Sequence, residues 1–452
     1  MSQEKADVVV VGLGVGGEET AGRLAQAGLD VVGIEPELVG GECPYWGCVP
    51  SKMAIRAANL LAETARIDGI AGRAHAIPDW TPVAERIRDD ATDDWDDTIA
   101  VERLIGKGVR LVRGRGRLAG PGIVEVDDTT YTATRGVVLA TGGAPVVPPI
   151  PGLSDTPYWT NRDLLAAKEL PDSLLVLGGG AIGVEMAQAL ARFGVGVTIV
   201  EARDRMLAQE EPETSALIAD LLGRAGIDLV HGAAAARVTY DDGFVIALDD
   251  GRELAAERLL VSVGRRPSLG PIGVASVGLD PKALSVPVDD RMRAGERLWA
   301  IGDVTGKGAF THMAMYQAGI AVPDILGEDG PRATYHAVPR VTFTDPEVGS
   351  VGMTEREARD EGRNVHTGTA SVPTTTRGWV HKAGNEGLIK LVVDADEDVL
   401  IGATSVGPWG GEVLSALVVA VHARVPISTL RQMIYAYPTF HRGILDALND
   451  LG

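Results

Sequence analysis

Short apolar runs that stop at glycine recur along this chain, and two of them open the same longer pattern. From Ala6 to Glu37, ADVVVVGLGVGGEETAGRLAQAGLDVVGIEPE passes from an unbroken apolar run to a glycine turn, then to helical spacing, then to a second apolar run that closes on Glu35. The pattern predicts strand, turn, helix, strand. Its glycines, Gly12, Gly14 and Gly17, have GxGxxG spacing. From Ser173 to Met206 the order returns in SLLVLGGGAIGVEMAQALARFGVGVTIVEARDRM, with Gly178, Gly180 and Gly183 in the same spacing and Glu201 closing the second strand. Such glycines let a backbone approach a pyrophosphate at a helix N-terminus, and the acid receives a ribose hydroxyl. A glycine-rich strand–helix turn without a ligand is the competing reading. The flanking strand and helix, and an acid 18 residues past the last glycine, favour the fingerprint. Two copies imply two dinucleotide sites, or a duplication with one site lost; the first reading is preferred.

Three further apolar runs end in glycine. Val137 to Ala140 runs into Thr141-Gly142-Gly143, Leu259 to Val263 precedes Gly264, and LWAIGDVTG places Asp303 just beyond its strand. Open α/β sheets hold ligands at such strand ends. The RIRDD and DDWDD runs between Leu60 and Gly120 read as a solvated surface. From about Ala337 the pattern changes. VPRVTFTDPEVGSVGMTEREARDEG reads as strand, turn and helix. GLIKLVVDADEDVLIGATSVG reads as two strands about a DADED turn, and helices are expected over Gly411 to Ala423, Ile427 to Met433 and Phe440 to Leu448. The expected fold is α/β, with two Rossmann-like dinucleotide-binding domains and a C-terminal α+β domain that could serve dimerisation, completion of the active site, or both. Residues 1–150 and 266–336 would form the first domain, 151–265 the second and 337–452 the third.

Composition narrows the function. A formal charge of −20 opposes nonspecific attraction to nucleic acid or an anionic membrane. No apolar stretch reaches about 18 residues, so no membrane span is expected, and the first residues do not read as a signal peptide. A cytoplasmic protein is expected. Cys43 and Cys48, in GGECPYWGCVPSKM, are the only two cysteines. Structural zinc needs about four ligands, and no tight histidine cluster stands beside them, so no metal site is assigned. A chance pair of buried thiols is a further alternative. The redox reading is stronger. A helix starting after Cys43 would bring the sulfurs together across one turn, its N-terminus would favour thiolate, and Lys52 would follow one turn past Cys48. Thiol–disulfide exchange moves two electrons, and two dinucleotide sites suit it, one for a flavin and one for its nicotinamide donor.

These segments resemble the class I pyridine nucleotide-disulfide oxidoreductases, FAD flavoproteins that include dihydrolipoamide dehydrogenase, glutathione reductase and mercuric reductase. GGECPYWGCVPSK resembles the family's redox segment, ATGGAP (Ala140 to Pro145) and IGDVTG (Ile301 to Gly306) its later FAD motifs, and TFTDPEVGSVG (Thr342 to Gly352) the opening of its dimerisation domain. The resemblance implies that Gly12, Gly14, Gly17 and Glu35 hold the adenosine half of FAD, with Thr141, Gly142, Gly264 and Asp303 also at the cofactor. It makes Cys48 the charge-transfer thiol and Cys43 the interchange thiol. It pairs Lys52 with Glu185 near flavin N5, and assigns Gly178, Gly180, Gly183 and Glu201 to the nicotinamide cofactor. A carboxylate at Glu201 favours NADH over NADPH, although Arg203 and Arg205 lie close enough to serve a 2′-phosphate if the loop turns differently. A homodimer is implied, acting on a small-molecule electron acceptor.

The chain departs from the family near its end. Disulfide-reducing relatives carry a histidine before a proline, with a glutamate five positions later. In YAYPTFHRG, Tyr437 and Arg442 occupy those places. A phenol with pKa near 10 is a poor base at neutral pH. His441 is the alternative base. The C-terminal cysteine pair of mercuric reductases is absent too. Trp46, between the cysteines, either narrows the site, packs on a cofactor ring or fills core space. The expected function is therefore hydride transfer from NAD(P)H through flavin and a Cys43–Cys48 disulfide to an acceptor the sequence does not identify. Dihydrolipoamide dehydrogenase or a related low-molecular-weight disulfide reductase is the near alternative. Mercuric reductase or a redox-controlled binding flavoprotein is more distant.

Overall fold

In the computed structural model, which describes residues 2–451, the chain forms two compact units built from interleaved stretches. One comprises the residues up to Ser51, Ala84–Val146 and Gly264–Thr334; the other comprises Lys52–Val83, Val147–Val263 and the residues from Tyr335 onward.

The first unit is organised by the strand Ser2–Val11, which lies between Val31–Glu35 and Thr129–Leu139 and runs parallel to both. Leu298–Ala300 extends the parallel sheet beyond Thr129–Leu139, and Arg110–Arg113 beyond Val31–Glu35. Val8, Val9 and Val10 are wholly buried. A parallel strand covered on both faces needs an unbroken apolar run rather than alternation, which is what VVVV supplies. Val9, Val11, Val32, Ile34, Val137, Leu139 and Leu298 belong to one core cluster. Each such buried side chain contributes about 1.5–3 kcal/mol.

The second unit repeats the scheme. Four parallel strands lie in the order Asp228–His231, Gly196–Glu201, Ser173–Leu177, Arg258–Val261, with the helix Ala181–Arg192 following the glycine turn. Residues Ala235–Ala256 add a three-stranded antiparallel sheet.

The C-terminal part is a five-stranded antiparallel sheet in the order Pro339–Thr342, Glu347–Gly352, Val399–Gly407, Leu388–Asp394, Val365–Ser371. Helices Gly410–His422 and Gly443–Asp450 pack on it through Leu414, Leu417 and Leu448 against Leu391 and Leu400. The hairpin about the DADED turn forms as read. The stretch from Ala337 holds two strands, not one, before the helix Glu355–Asp360, whose start is fixed by a Thr354/Glu357 capping box. Strand Val365–Ser371 and helix Thr376–His381 had no clear apolar period to announce them.

Candidate active site

The two glycine loops are superimposable in their chemistry. Gly12 has φ +90°, and a Cβ there would lie 2.5 Å from the Ala140 carbonyl oxygen; Gly178 has φ +112° and the same conflict at 2.6 Å with Ser262. A Cβ on Gly17 would lie 2.0 Å from the Gly12 oxygen, and one on Gly183 would lie 2.0 Å from the Gly178 oxygen. Only glycine permits these crossings of strand, turn and helix. Gly14 and Gly180 cap the two helices, and a Cβ at either would meet nothing within 4 Å. The acids repeat as well. Glu35 accepts the Leu13 N–H at 2.7 Å and the Glu37 N–H at 2.9 Å; Glu201 accepts the Gly179 N–H at 2.7 Å and the Arg203 N–H at 2.8 Å. Each acid thus ties its strand end to its glycine loop, with lone pairs left for a ribose hydroxyl. Burial pushes the Glu35 carboxyl up, and the Leu13 and Glu37 amides oppose this.

Around the first loop the residues fit a dinucleotide. Thr141 Oγ1 is buried with no hydrogen-bond partner, and a buried polar atom left so calls for a ligand. Gly142 (φ +64°) and Gly264 (φ +123°) face open space. Asp303 lies on the helical turn Gly302–Thr305, where burial pushes its carboxyl up while Arg265 opposes and Glu42 and Cys48 add to the rise. Arg265 also lies 3.3 Å from Glu42 and donates to the Gly143 carbonyl.

The cysteine segment leaves directly from this loop. The Gly40 N–H donates to Leu13 O at 2.7 Å, and a Cβ on Gly41 would lie 2.8 Å from Gly14 Cα. The single helix expected after Cys43 is instead two. A turn, Glu42–Tyr45, holds Cys43; Trp46 and Gly47 break it; and a long helix, Cys48–Ala65, begins on the second cysteine. The first turn ends at Trp46, which leaves helical geometry with φ −133° and ψ 2°, and a Cβ on Gly47 would lie 3.0 Å from Glu42 O. Both cysteines are thiols. The hydrogen bond to Cys48, helped by burial, pushes the Cys43 thiol well up, with Thr311 opposing. Cys48 Sγ lies 3.4 Å from Thr311 Oγ1, and Thr311 is the first residue of the helix Thr311–Leu326. Two helix N-termini, that of Cys48–Ala65 and that of Thr311–Leu326, therefore favour negative charge at Cys48. Thr311 belonged to no motif in the sequence. Trp46 is half-buried and stacks on Trp95 with ring centroids 5.2 Å apart. The DDWDD run is thus more than solvated surface, since its Asp97 accepts from Val39 N–H and pairs with Arg113.

The second unit holds the other predicted residues. Lys52 Nζ lies 2.8 Å from Glu185 Oε2, the side chain of Glu185 being only 6 % exposed. The Phe343 N–H donates to the other Glu185 oxygen at 2.7 Å, and the Lys52 ammonium lies 4.6 Å from the centre of the Phe343 ring. Arg205 donates to the Ala208 and Glu210 carbonyls, and Arg203 is exposed. Tyr437, 69 % exposed, donates to Thr376 Oγ1 at 3.2 Å. His441 sits on the turn Phe440–Arg442 with its ring 6.2 Å from that of Tyr435, and Arg442 pairs with Asp446 at 2.9 Å. Among the described residues no helix is long and apolar enough to cross a membrane, and no group of three His, Cys, Asp or Glu is placed to hold a metal.

Residues 6–318 match the pyridine nucleotide-disulphide oxidoreductase family, and residues 338–448 match its dimerisation domain. The dihydrolipoyl dehydrogenase of Halobacterium salinarum is 34% identical over 98% of this chain and 95% of its own length. The mercuric reductase of Bacillus cereus is 31% identical over 97% of this chain and 70% of its own. Among solved structures, the HOCl-induced flavoprotein disulfide reductase RclA from Escherichia coli is 27% identical, with a TM-score of 0.84 over 98% of this chain and 99% of that one. LpdA from Mycobacterium tuberculosis is 26% identical, with a TM-score of 0.86 over the full length of both. With both family domains matched in order, and the fold and glycine loops they require in place, the chain belongs to the pyridine nucleotide-disulphide oxidoreductases, as an FAD-dependent NAD(P)H oxidoreductase.

Proposed function

We propose that this enzyme carries two electrons from NADH to a small electrophilic acceptor whose reduction needs no imidazole base. Bound FAD would supply the two-electron coupling between the nicotinamide and the thiol pair. The carrying observation is that pair: Cys48 opens a helix with its sulfur 3.4 Å from Thr311 Oγ1, and Cys43 lies on the short turn just before it. In this reading Cys48 faces the flavin and Cys43 meets the acceptor. Gly12, Gly14, Gly17, Glu35, Thr141, Gly142, Gly264 and Asp303 hold FAD. Gly178, Gly180, Gly183 and Glu201 hold the nicotinamide cofactor, and Lys52 with Glu185 fixes the charge where hydride arrives. Residues 1–150 and 266–336 serve FAD, 151–265 the nicotinamide cofactor and 337–452 dimerisation. A homodimer, in which Tyr437 serves the partner's thiols, and a cytoplasmic setting complete the proposal.

The preference for NADH is supported by the second loop. Glu201 offers both carboxylate oxygens near the ribose and would repel a 2′-phosphate. Arg205 is turned toward main-chain carbonyls. kcat/KM for NADH should exceed that for NADPH at least tenfold, about 1.4 kcal/mol.

The test is anaerobic addition of one equivalent of NADH to the oxidised holoenzyme, with thiol counting, followed by acceptors: lipoamide, quinones, low-molecular-weight disulfides, mercuric ion and cupric ion. Two new thiols, then fast reoxidation by a quinone or other non-disulfide acceptor, are expected. No new thiols would sink the proposal. A second reading, dihydrolipoamide dehydrogenase, has in its favour the 34% identity to the Halobacterium enzyme along the whole chain; rapid NAD+ reduction by dihydrolipoamide would establish it instead. Cupric ion is included because RclA has been solved as a Cu(II) complex.

A further inference from the structure

The loop carrying Trp95 is built against its own backbone preferences. Asp93, Asp94 and Trp95 have φ of +48°, +55° and +58° in succession, a left-handed run that side-chain-bearing residues seldom adopt. It follows a π-helical turn, Ile87–Ala91, and both features gather where function demands them. The loop is held from behind. Asp94 N–H donates to Arg88 O at 2.7 Å, and Thr92 Oγ1 donates to Arg88 O while accepting the Trp95 N–H. In front it grips the cysteine segment at three points. The Trp95 indole stacks on Trp46 at 5.2 Å and 19°, its Nε1–H donates to Tyr45 O at 3.3 Å, and Asp97 accepts the Val39 N–H at 2.7 Å.

Two of these contacts fall on Tyr45 and Trp46, the end of the turn bearing Cys43 and the break before Cys48. Opening and closing the disulfide requires the sulfurs to move from about 2.05 Å apart to non-bonded separation, and this break is where the Cys43 turn can swing. We propose that Trp95 is a positioning residue that restricts this swing, keeping the Cys43 thiol at Cys48 and so raising the effective concentration of one sulfur at the other. Higher effective concentration favours ring closure. Trp95 therefore shifts the pair toward the disulfide and makes it harder to reduce. This inference rests on the redox reading of Cys43 and Cys48 given above.

Equilibration of the holoenzyme in glutathione buffers tests it directly. The Cys43 and Cys48 thiols give up two electrons and two protons. One S–S bond forms between them while the S–S bond of glutathione disulfide breaks to two glutathione thiols. The ratio of the two enzyme forms is read by thiol alkylation and mass measurement. Trp95→Ala should shift the equilibrium at least fivefold toward the dithiol, about 20 mV for two electrons, and Trp95→Phe, which keeps a stack but loses the N–H, by less. Trp80→Phe removes an indole N–H bond to Ala167 elsewhere and should leave the equilibrium unmoved. A Trp95→Ala value within twofold of wild type overturns the proposal, as does an equal shift in Trp80→Phe. If Trp95→Ala does not fold, Trp95→Phe and Trp46→Phe decide, and no shift in both overturns it. Glutathione exchange does not pass through NADH, so the clamp is measured even if NADH fails to generate thiols, which refutes the redox reading alone.

Discussion

Lys390→Met should destabilise the protein by about 3 kcal/mol at neutral pH. Lys390 lies on the strand Leu388–Asp394 with its side chain 4 % exposed, and Nζ is 3.0 Å from Glu211, 3.0 Å from Glu213 and 2.8 Å from Glu355. Glu211 is 2 % exposed and also accepts the Glu355 N–H at 2.7 Å. Burial alone would push the Lys390 ammonium down, but its hydrogen bonds to the three carboxylates outweigh burial and hold it above an ordinary lysine. Methionine keeps the packing volume and leaves the carboxylates facing one another. Breaking a buried pair costs about 3–5 kcal/mol. Glu213 and Glu355 can turn toward water, which places the value at the low end. At about 2 °C per kcal/mol for a chain of this size, Tm should fall by about 6 °C. The sign of the pH dependence follows from both partners. Lys390 is raised, so its contribution is present below the unfolded lysine value near 10.4 and is lost as pH rises through the folded value. Glu355 is lowered, first by its hydrogen bond to Lys390, so its contribution is present above about 4.3 and is lost as pH falls through the folded value. Thermal unfolding of wild type and variant from pH 4 to 11 should show a difference that is flat from about pH 5 to 10 and shrinks at both ends. A Tm loss under about 2 °C at pH 7, or a difference that grows toward pH 4, would refute the reasoning.

The two glycine loops can be separated. Gly17→Ala places a Cβ 2.0 Å from Gly12 O and should yield protein without bound FAD, read from the flavin absorbance of purified samples. Gly183→Ala has the same conflict with Gly178 O and should retain FAD while NADH reduces it at least tenfold more slowly. Lys52→Met should slow flavin reduction by NADH by about 10–100-fold, measured by stopped flow, with FAD content unchanged; an unchanged rate would remove Lys52 from the hydride step. Cys48→Ser should abolish the long-wavelength absorbance of the two-electron-reduced enzyme, whereas Cys43→Ser, which leaves Cys48 as a free thiol with no disulfide to reduce, should show that absorbance as purified and lose it on two-electron reduction.

Where backbone chemistry dictated the pattern, the sequence was readable. Gly12, Gly17, Gly178 and Gly183 stand where a Cβ would strike a carbonyl, so their spacing carried the geometry of two loops without any structure. Lys52 and Glu185, 133 residues apart, were paired only through the resemblance. Nothing local in either segment announces a contact made by folding. Trp95 was hidden for a different reason. Its neighbours are aspartates, and an acidic run reads as solvated surface until the left-handed turn at Asp93–Trp95 aims the ring inward at Trp46. A continuous helix from Cys43, which would have brought the sulfurs together across one turn, is interrupted at Trp46, whose backbone leaves helical geometry with nothing in its residue type to announce it.

The same thiol geometry bears on the missing histidine. In the proposed chemistry, an acceptor that takes two electrons from the pair leaves two protons to be placed. An imidazole would hold them near neutral pH; Tyr437, an exposed phenol donating to Thr376, is a poor base there. The structure offers another route. Cys43 is pushed up and retains its proton, while Cys48 is exposed and opens a helix whose N-terminus favours its thiolate. The pair can then carry one proton on Cys43 and exchange the other with solvent. Such an arrangement serves acceptors that draw protons from water, as quinones do, better than disulfides, whose leaving thiolate must be protonated in place. Tyr437→His with Arg442→Glu supplies the dyad and separates the cases. A rise of tenfold or more in lipoamide turnover, with quinone turnover little changed, would show that the C-terminal dyad, and not the cysteine segment, selects the acceptor; equal changes for both would show that it does not.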